Sequence, residues 1–341
     1  MLVALVLVAC GSNGGDGSAD PTTSAPATTV APSTTTTTTT TTTNNNTAPP
    51  DSASVVDAAC AGLPESPATV TVAVPPLVEA SGLAVSRLQD AVIWAHNDSG
   101  DTARVFAFGD DGAHRGTFRV AGADAVDWED MALGPAVDDA GQPVGDADAL
   151  YLADIGDNDA VRQNVTVYRV PEPAVGQGTT PVRERLDGVE RYPFQYPDGP
   201  RDAEALFVDR TTASFYVIEK SLAGGPVGIY RGPLADWGAD AAAMPTLERV
   251  GTYRPGVGPV AAVTGADMTP TGADIAIRTY GSVRLFDRPD GAEIADVLAG
   301  TPCNGPLPAE LQGEAIALLP DASAYLTLPE GASPTLSIWR P

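Results

Sequence analysis

The chain has 341 residues, a net charge of −25 and a pI near 4.1, with 18% of its residues charged. So few basic groups exclude the phosphate-neutralising surface that nucleic acids require. An acidic surface suits solubility, cations, and basic or neutral partners, and Lys220 stands out as the only lysine.

The first ten residues, "MLVALVLVAC", form an apolar run ending at Cys10, followed by Gly11 and Ser12. This resembles the lipobox of bacterial lipoproteins, in which the cysteine is lipidated and becomes the mature N-terminus. Residues 1–10 are therefore expected to be a lipoprotein signal segment. The run is too short to span a bilayer and lacks the positive residues that precede a signal core, so the true translation start is expected upstream. Residues 11–53 are dominated by Thr, Ser, Pro, Gly and Asn, with a threonine run ending at Thr43. With almost nothing apolar to bury, this segment reads as a disordered stalk. The expected location is extracytoplasmic, on the outer face of the cell membrane, with the lipid on Cys10 as the only membrane contact.

The folded part, residues 54–341, shows no long amphipathic helix. Short apolar and β-branched runs recur every eight to twelve positions between Gly, Pro, Asp and Asn, which is an all-β signal. Once Cys10 is set aside, Cys60 and Cys303 remain, and a pair of thiols in an oxidising compartment predicts a disulfide.

A repeat sharpens the fold. First strands with a polar or small start are "EASGLAV", "DWEDMAL", "DAEALFV", "TGADMTP" and "QGEAIAL". Second strands follow as "AVIWAHND", "ALYLADIGD", "SFYVIEKS", "DIAIRTYG" and "AYLTLPEG", and third strands as "RVFAFGD", "VTVYRVP", "GIYRGPL", "VRLFDRP" and "TLSIWRP". "GTFRVAG", "RYPFQYP", "ERVGTYRP" and "IADVLAG" read as fourth strands, while the fifth copy reaches Pro341 without one. The unassigned strand "ATVTVAV", Ala68 to Val74, is expected to complete that last blade. The prediction is a five-bladed β-propeller closed by its N-terminal strand, which leaves no open edge in the ring. A six-bladed ring is the alternative if Ala136–Ala149 or Ala235–Thr246 hides more strands. On this plan Cys60 and Cys303 both belong to the last blade.

Antiparallel pairing places the start of each first strand and the end of each second strand at one edge. Asp127, Glu129, Asp130, Asp202, Glu204, Asp267 and Glu314 then share a face with Asn97, Asp98, Asp154, Asp157, Asn158, Glu219, Lys220, Tyr280 and Glu330. Like charges converging on a narrow mouth must be protonated, paired or bound to a cation. Oxygen donors with only two histidines favour Ca2+ over zinc. The expected ligand set is Glu129, Asp130, Asp154, Asp157 and Asn158, although "DIGDN" reads equally as a tight turn capping its own backbone. Asn97, Asp98, Arg162, Arg278 and Tyr280 are the expected ligand-binding residues. Glu204, Glu314 and Lys220 are the candidates for catalysis. "HNDSGD" holds Ser, His and Asp close together but without a nucleophile-elbow motif.

At "SGLA", "HNDSGD", "DWEDMAL", "DIGDN" and "VYRVPEP" the chain resembles a group of exported actinobacterial β-propeller proteins. The resemblance implies a propeller with a shared polar face and leaves the activity open. More distantly the arrangement is similar to calcium-dependent propellers of the gluconolactonase and senescence-marker type, which implies a central ion held by counterparts such as Glu129, Asn97 or Asn158, and Asp154. Two functions are expected. One is a monomeric surface propeller binding a polar small molecule, a glycan or a cell-envelope protein. The other is a calcium-dependent hydrolase of an ester, lactone, phosphoester or glycoside, with Glu204 or Glu314 as general base.

Overall fold

The computed structural model describes residues 54–62, 66–176, 178, 180–235, 237, 244–310 and 312–341. Cys10 and the stalk lie outside the described residues. A short helix, α1 (Val55–Ala61), comes first. Ser54 accepts from the Asp57 amide and Asp57 accepts from the Ser54 amide, a reciprocal cap that lets so short a segment hold a helix. Strand β1 (Ala68–Thr71) follows.

Blade one holds β2 (Ala80–Val85), β3 (Val92–Asn97), β4 (Arg104–Gly109) and β5 (His114–Val120). Blade two holds β6 (Trp128–Val137), β7 (Pro143–Asp154) and β8 (Val165–Pro171), after which the chain forms β9 (Val182–Leu186) and β10 (Glu190–Phe194). Blade three is β11 (Ala203–Asp209), β12 (Ser214–Glu219), β13 (Val227–Pro233) and β14 (Glu248–Tyr253). Blade four is β15 (Val263–Met268), β16 (Asp274–Thr279) and β17 (Ser282–Asp287), then helix α2 (Ile294–Leu298) and β18 (Cys303–Gly305). Blade five is β19 (Gly313–Leu318), β20 (Tyr325–Pro329) and β21 (Thr335–Trp339), completed by β1, which pairs antiparallel with β21.

The described residues thus form a five-bladed β-propeller whose first strand closes its last blade. The six-bladed alternative fails at Ala136–Ala149, because those residues only lengthen the β6–β7 hairpin. Residues 235–246 lie partly outside the described residues.

Strand alternation explains the packing. In β3, Ile93 and Ala95 face blade five while Val92 and Trp94 face blade two. Each gap between neighbouring blades is filled by its own apolar cluster. The five first strands lie side by side around the axis and are almost wholly buried. Their close approach needs small residues: a Cβ on Gly82 would sit 2.8 Å from the Met131 nitrogen of the next blade.

Three details depart from the sequence reading. "IADVLAG" is helical rather than the fourth strand of blade four, because Ile294 and Leu298, one helical turn apart, both bury into the cluster between blades three and four. A repeat of four selects a helix where a repeat of two would select a strand. The outer strand of that blade is β18 instead, so Cys303 belongs to blade four, not to the last blade. The Cys60–Cys303 disulfide is formed, spanning 243 residues, and it ties α1 to blade four in the gap that Val55, Val56 and Ala59 fill against blade five. A link across so long a loop typically contributes about 2 to 4 kcal/mol. The third detail is β9, which leaves blade two to pair parallel with β5. It covers an edge that blade one would otherwise expose.

Candidate functional site

Every first strand slips register against its second strand near its start. The slips fall between Ala80 and Leu83, Trp128 and Asp130, Ala203 and Ala205, Val263 and Gly265, and Gly313 and Ala315. Such a bulge leaves a residue out of the ladder and re-aims its side chain. The residues left out are Glu129, Glu204, Thr264 and Glu314 in blades two to five, with Ser81 at the matching position of blade one. The three glutamates are between 3% and 5% exposed. A single structural device, repeated around the ring, therefore turns carboxylates toward a common mouth.

Carboxylate oxygens of Asp98, Asp127 and Glu129 lie within 4.8 Å of one another, and so do those of Glu129, Asp202 and Glu204. Glu129 belongs to both groups and joins blades one, two and three. Beside them Lys220 forms an ion pair with Glu204, and its ammonium stands 5.5 Å from the centre of the Tyr280 ring. Tyr280 donates a 3.1 Å hydrogen bond to Glu314 Oε1. The second oxygens of Glu204 and Glu314 are buried without a hydrogen-bond partner, an arrangement that normally costs about 1 to 3 kcal/mol per group.

The charges answer as a crowded mouth should. Burial, followed by Asp98 and Asp127, raises Glu129 well above the usual carboxylate range. Burial and the neighbouring Asp98 push Asp127 up to about 6. Burial and Glu314 raise Glu330 to about 7. Burial also raises Asp98 and Glu314, with Lys220 opposing in both cases.

The structure distributes the expected ligands differently from the sequence reading. Glu129 sits at the centre of the oxygen cluster, whereas Asp130, Asp154, Asp157 and Asn158 fall outside the two groups just described. Asp130 turns down the axis, where it accepts from the amides of Met131 at 2.8 Å, Leu206 at 2.8 Å and Ala266 at 3.0 Å, tying three first strands together. Asp267 does the same between blades four and five, accepting from Met268 and Leu318. Asp154 is paired with Arg162 at 2.8 Å. Asp157 accepts from the amides of Val161 and Arg162, so "DIGDN" is the self-capped turn. Asn158 is exposed.

Among the expected ligand-binding residues, Asp98 and Tyr280 stand at the mouth. The Asn97 amide is fully engaged: it accepts from Val78 and Glu79 and donates to Pro76 and Asp101. Arg162 also donates to the Gly156 carbonyl, which locks its loop. Arg278 is wholly buried between blades four and five, where it donates to the Ala315 carbonyl and pairs with Glu310. Glu204, Glu314 and Lys220, the expected catalytic residues, are brought together at the mouth. His96 is buried edge-on to Trp128 with centroids 5.3 Å apart.

The sequence placed Asp127 and Asp202 on this face but not in the ligand set. Their signal was the aspartate two residues before each bulged glutamate, in "DWE" and "DAE". Nothing in the sequence marked Glu310 as the partner of Arg278.

No protein-family model matches the chain, and no curated protein matches it in sequence. The class defined here is that of a five-bladed β-propeller whose axial mouth gathers buried acidic clusters capable of holding a metal ion.

Proposed function

We propose that this propeller is a surface-anchored binding protein whose axial mouth holds a divalent, oxygen-preferring cation of the calcium class and receives a polar ligand or partner. The observation carrying this reading is the pair of carboxylate groups sharing Glu129, with oxygens already within 4.8 Å of one another. Calcium takes six to eight oxygen ligands in flexible geometry, and the mouth offers carboxylates from several blades. A bound ion would offset both the burial and the neighbouring carboxylates that raise Asp127 and Glu129. Anchoring through a lipid on Cys10 belongs to the same proposal and is supported by the "LVAC" pattern and the polar segment that follows it.

A second reading, a metal-assisted hydrolase, is favoured by the unpartnered oxygens of Glu204 and Glu314. In that reading the ion polarises an ester or phosphoester oxygen, and one of these glutamates takes a proton from water.

Thermal melting tests the binding reading. Calcium raises the melting temperature of the wild type and a chelator reverses the change, whereas Glu129→Gln melts identically in both conditions. Equal wild-type melts with and without calcium would remove the ion. Calcium-dependent turnover on an ester and phosphoester panel, abolished by Glu204→Gln or Glu314→Gln, would select the hydrolase.

A further inference from the structure

Eight large apolar side chains are markedly exposed among the described residues, and six of them lie on the loops that surround the mouth. They are Val78, Val126, Val161, Leu222, Val257 and Val260, with Val257 82% and Val161 66% exposed. Each occupies either the entry to a first strand or the exit from a second strand, the two positions that antiparallel pairing assigns to this face. Five of the six sit on loops fixed by hydrogen bonds. The Val78 amide donates to Asn97, and the Val78 carbonyl accepts from Gly331. Val161 donates to Asp157, and the Val260 carbonyl accepts from Gly281. The loop carrying Leu222 is zipped to the loop carrying Val257 through Gly225 to Gly256 and Gly258 to Ala223. Apolar side chains on a fixed frame bind with little ordering cost, and six of the eight exposed ones fall on the loops of this one face.

Inside that rim the chemistry is cationic in preference. Lys220 shows how the mouth receives an ammonium: a carboxylate, Glu204, takes the charge and an aromatic face, Tyr280, lies alongside. The buried free oxygens of Glu204 and Glu314 mark capacity left unused. The rim draws on loops of four blades, wider than a small cation would cover.

We propose that the rimmed mouth docks a polypeptide segment in which a lysine or arginine is flanked by apolar residues, the charged head entering the acidic mouth and its neighbours covering the rim. This names the partner of the site described above and rests on reading the mouth as a cation site, so calcium and the basic side chain compete. Anionic lipid and nucleic acid are disfavoured because the mouth repels them.

A displayed random heptapeptide library, selected on the propeller in chelator, tests this. The expected result is enrichment of peptides with Lys or Arg between apolar residues. The tightest selected peptide, made synthetically and labelled, then binds at least tenfold more weakly when its basic residue is replaced by norleucine, when Leu222→Asn/Val257→Asn is used, or when calcium is added. No enrichment, or enrichment of acidic or neutral peptides, overturns the proposal. So does binding to phosphatidylglycerol vesicles that the double variant loses, which would assign the rim to a membrane. Calcium-dependent melting, measured on the same samples, separates the two levels: if it persists while peptide binding fails, only the partner is wrong, and if both fail, the cation reading is wrong.

Discussion

The two axial ends of the propeller treat the same kind of charge in opposite ways. At the end away from the mouth, Asp148 is wholly buried yet paired with both Arg87 and Arg210. Asp209 is likewise buried against Arg288 and the hydroxyls of Thr211 and Thr212. Both carboxylate oxygens of each have partners on the chain itself. At the mouth, Asp98, Asp127, Glu129, Asp202 and Glu204 crowd together beside Glu314, Lys220 pairs with Glu204, and one buried oxygen each of Glu204 and Glu314 has no hydrogen-bond partner. One end is neutralised from within and serves the fold. The other is left acidic, and burial first, then the neighbouring carboxylates, raises Asp127 and Glu129 there.

Removing a carboxylate should therefore have opposite effects at the two ends. Asp148→Asn breaks two ion pairs and should lower unfolding free energy by about 3 kcal/mol, read from urea melts, while leaving any calcium-induced stabilisation intact. Asp127→Asn at the mouth should instead raise the stability of the calcium-free protein at pH 8 by roughly 1 kcal/mol, a figure already reduced for solvent screening at a half-buried site. An equal loss of stability from both variants would erase the distinction between the ends.

The pH dependence sharpens the same contrast. Asp127 and Glu330 have folded pKa values of about 6 and about 7, above their ordinary values. The native state then holds more protons than the unfolded one across that interval, so the contribution of these groups to stability falls as pH rises from about 4 toward 7. Without calcium, the Asp127→Asn/Glu330→Gln variant should lose less stability than the wild type between pH 5 and pH 8. Saturating calcium should diminish that difference, since the ion favours the deprotonated carboxylates. The smallest effect is expected at Asn158, which is exposed: Asn158→Ala should change stability by less than about 0.5 kcal/mol and leave calcium melts unaltered.

Why the sequence led to Asn158 and Asp130 while Asp98 and Asp202 hold the neighbouring places is a matter of local geometry. Alternation and turn spacing made the five blades, the closing strand and the Cys60–Cys303 pairing readable, because each depends on patterns a few residues long or on elimination. The crowded face was readable too, since antiparallel pairing alone brings strand starts and strand ends together. A bulge, however, inverts which of two adjacent acids faces the axis. "WED" offers Glu129 and Asp130 with equal chemistry, and only the register slip at Trp128 to Asp130 sends one to the mouth and the other down to three backbone amides. The helix at Ile294–Leu298 was missed for a related reason: in a segment of seven residues, the repeat of four is visible only once the gap it fills is known.

The most direct test of the mouth as a cation site is an anomalous difference map from crystals grown with calcium. A peak is expected, coordinated by Glu129 together with Asp98 and Asp127, or with Asp202 and Glu204, at oxygen distances of about 2.3 to 2.6 Å. A mouth without such a peak at saturating calcium, or an ion bound only at Asp154, Asp157 and Asn158, would contradict it.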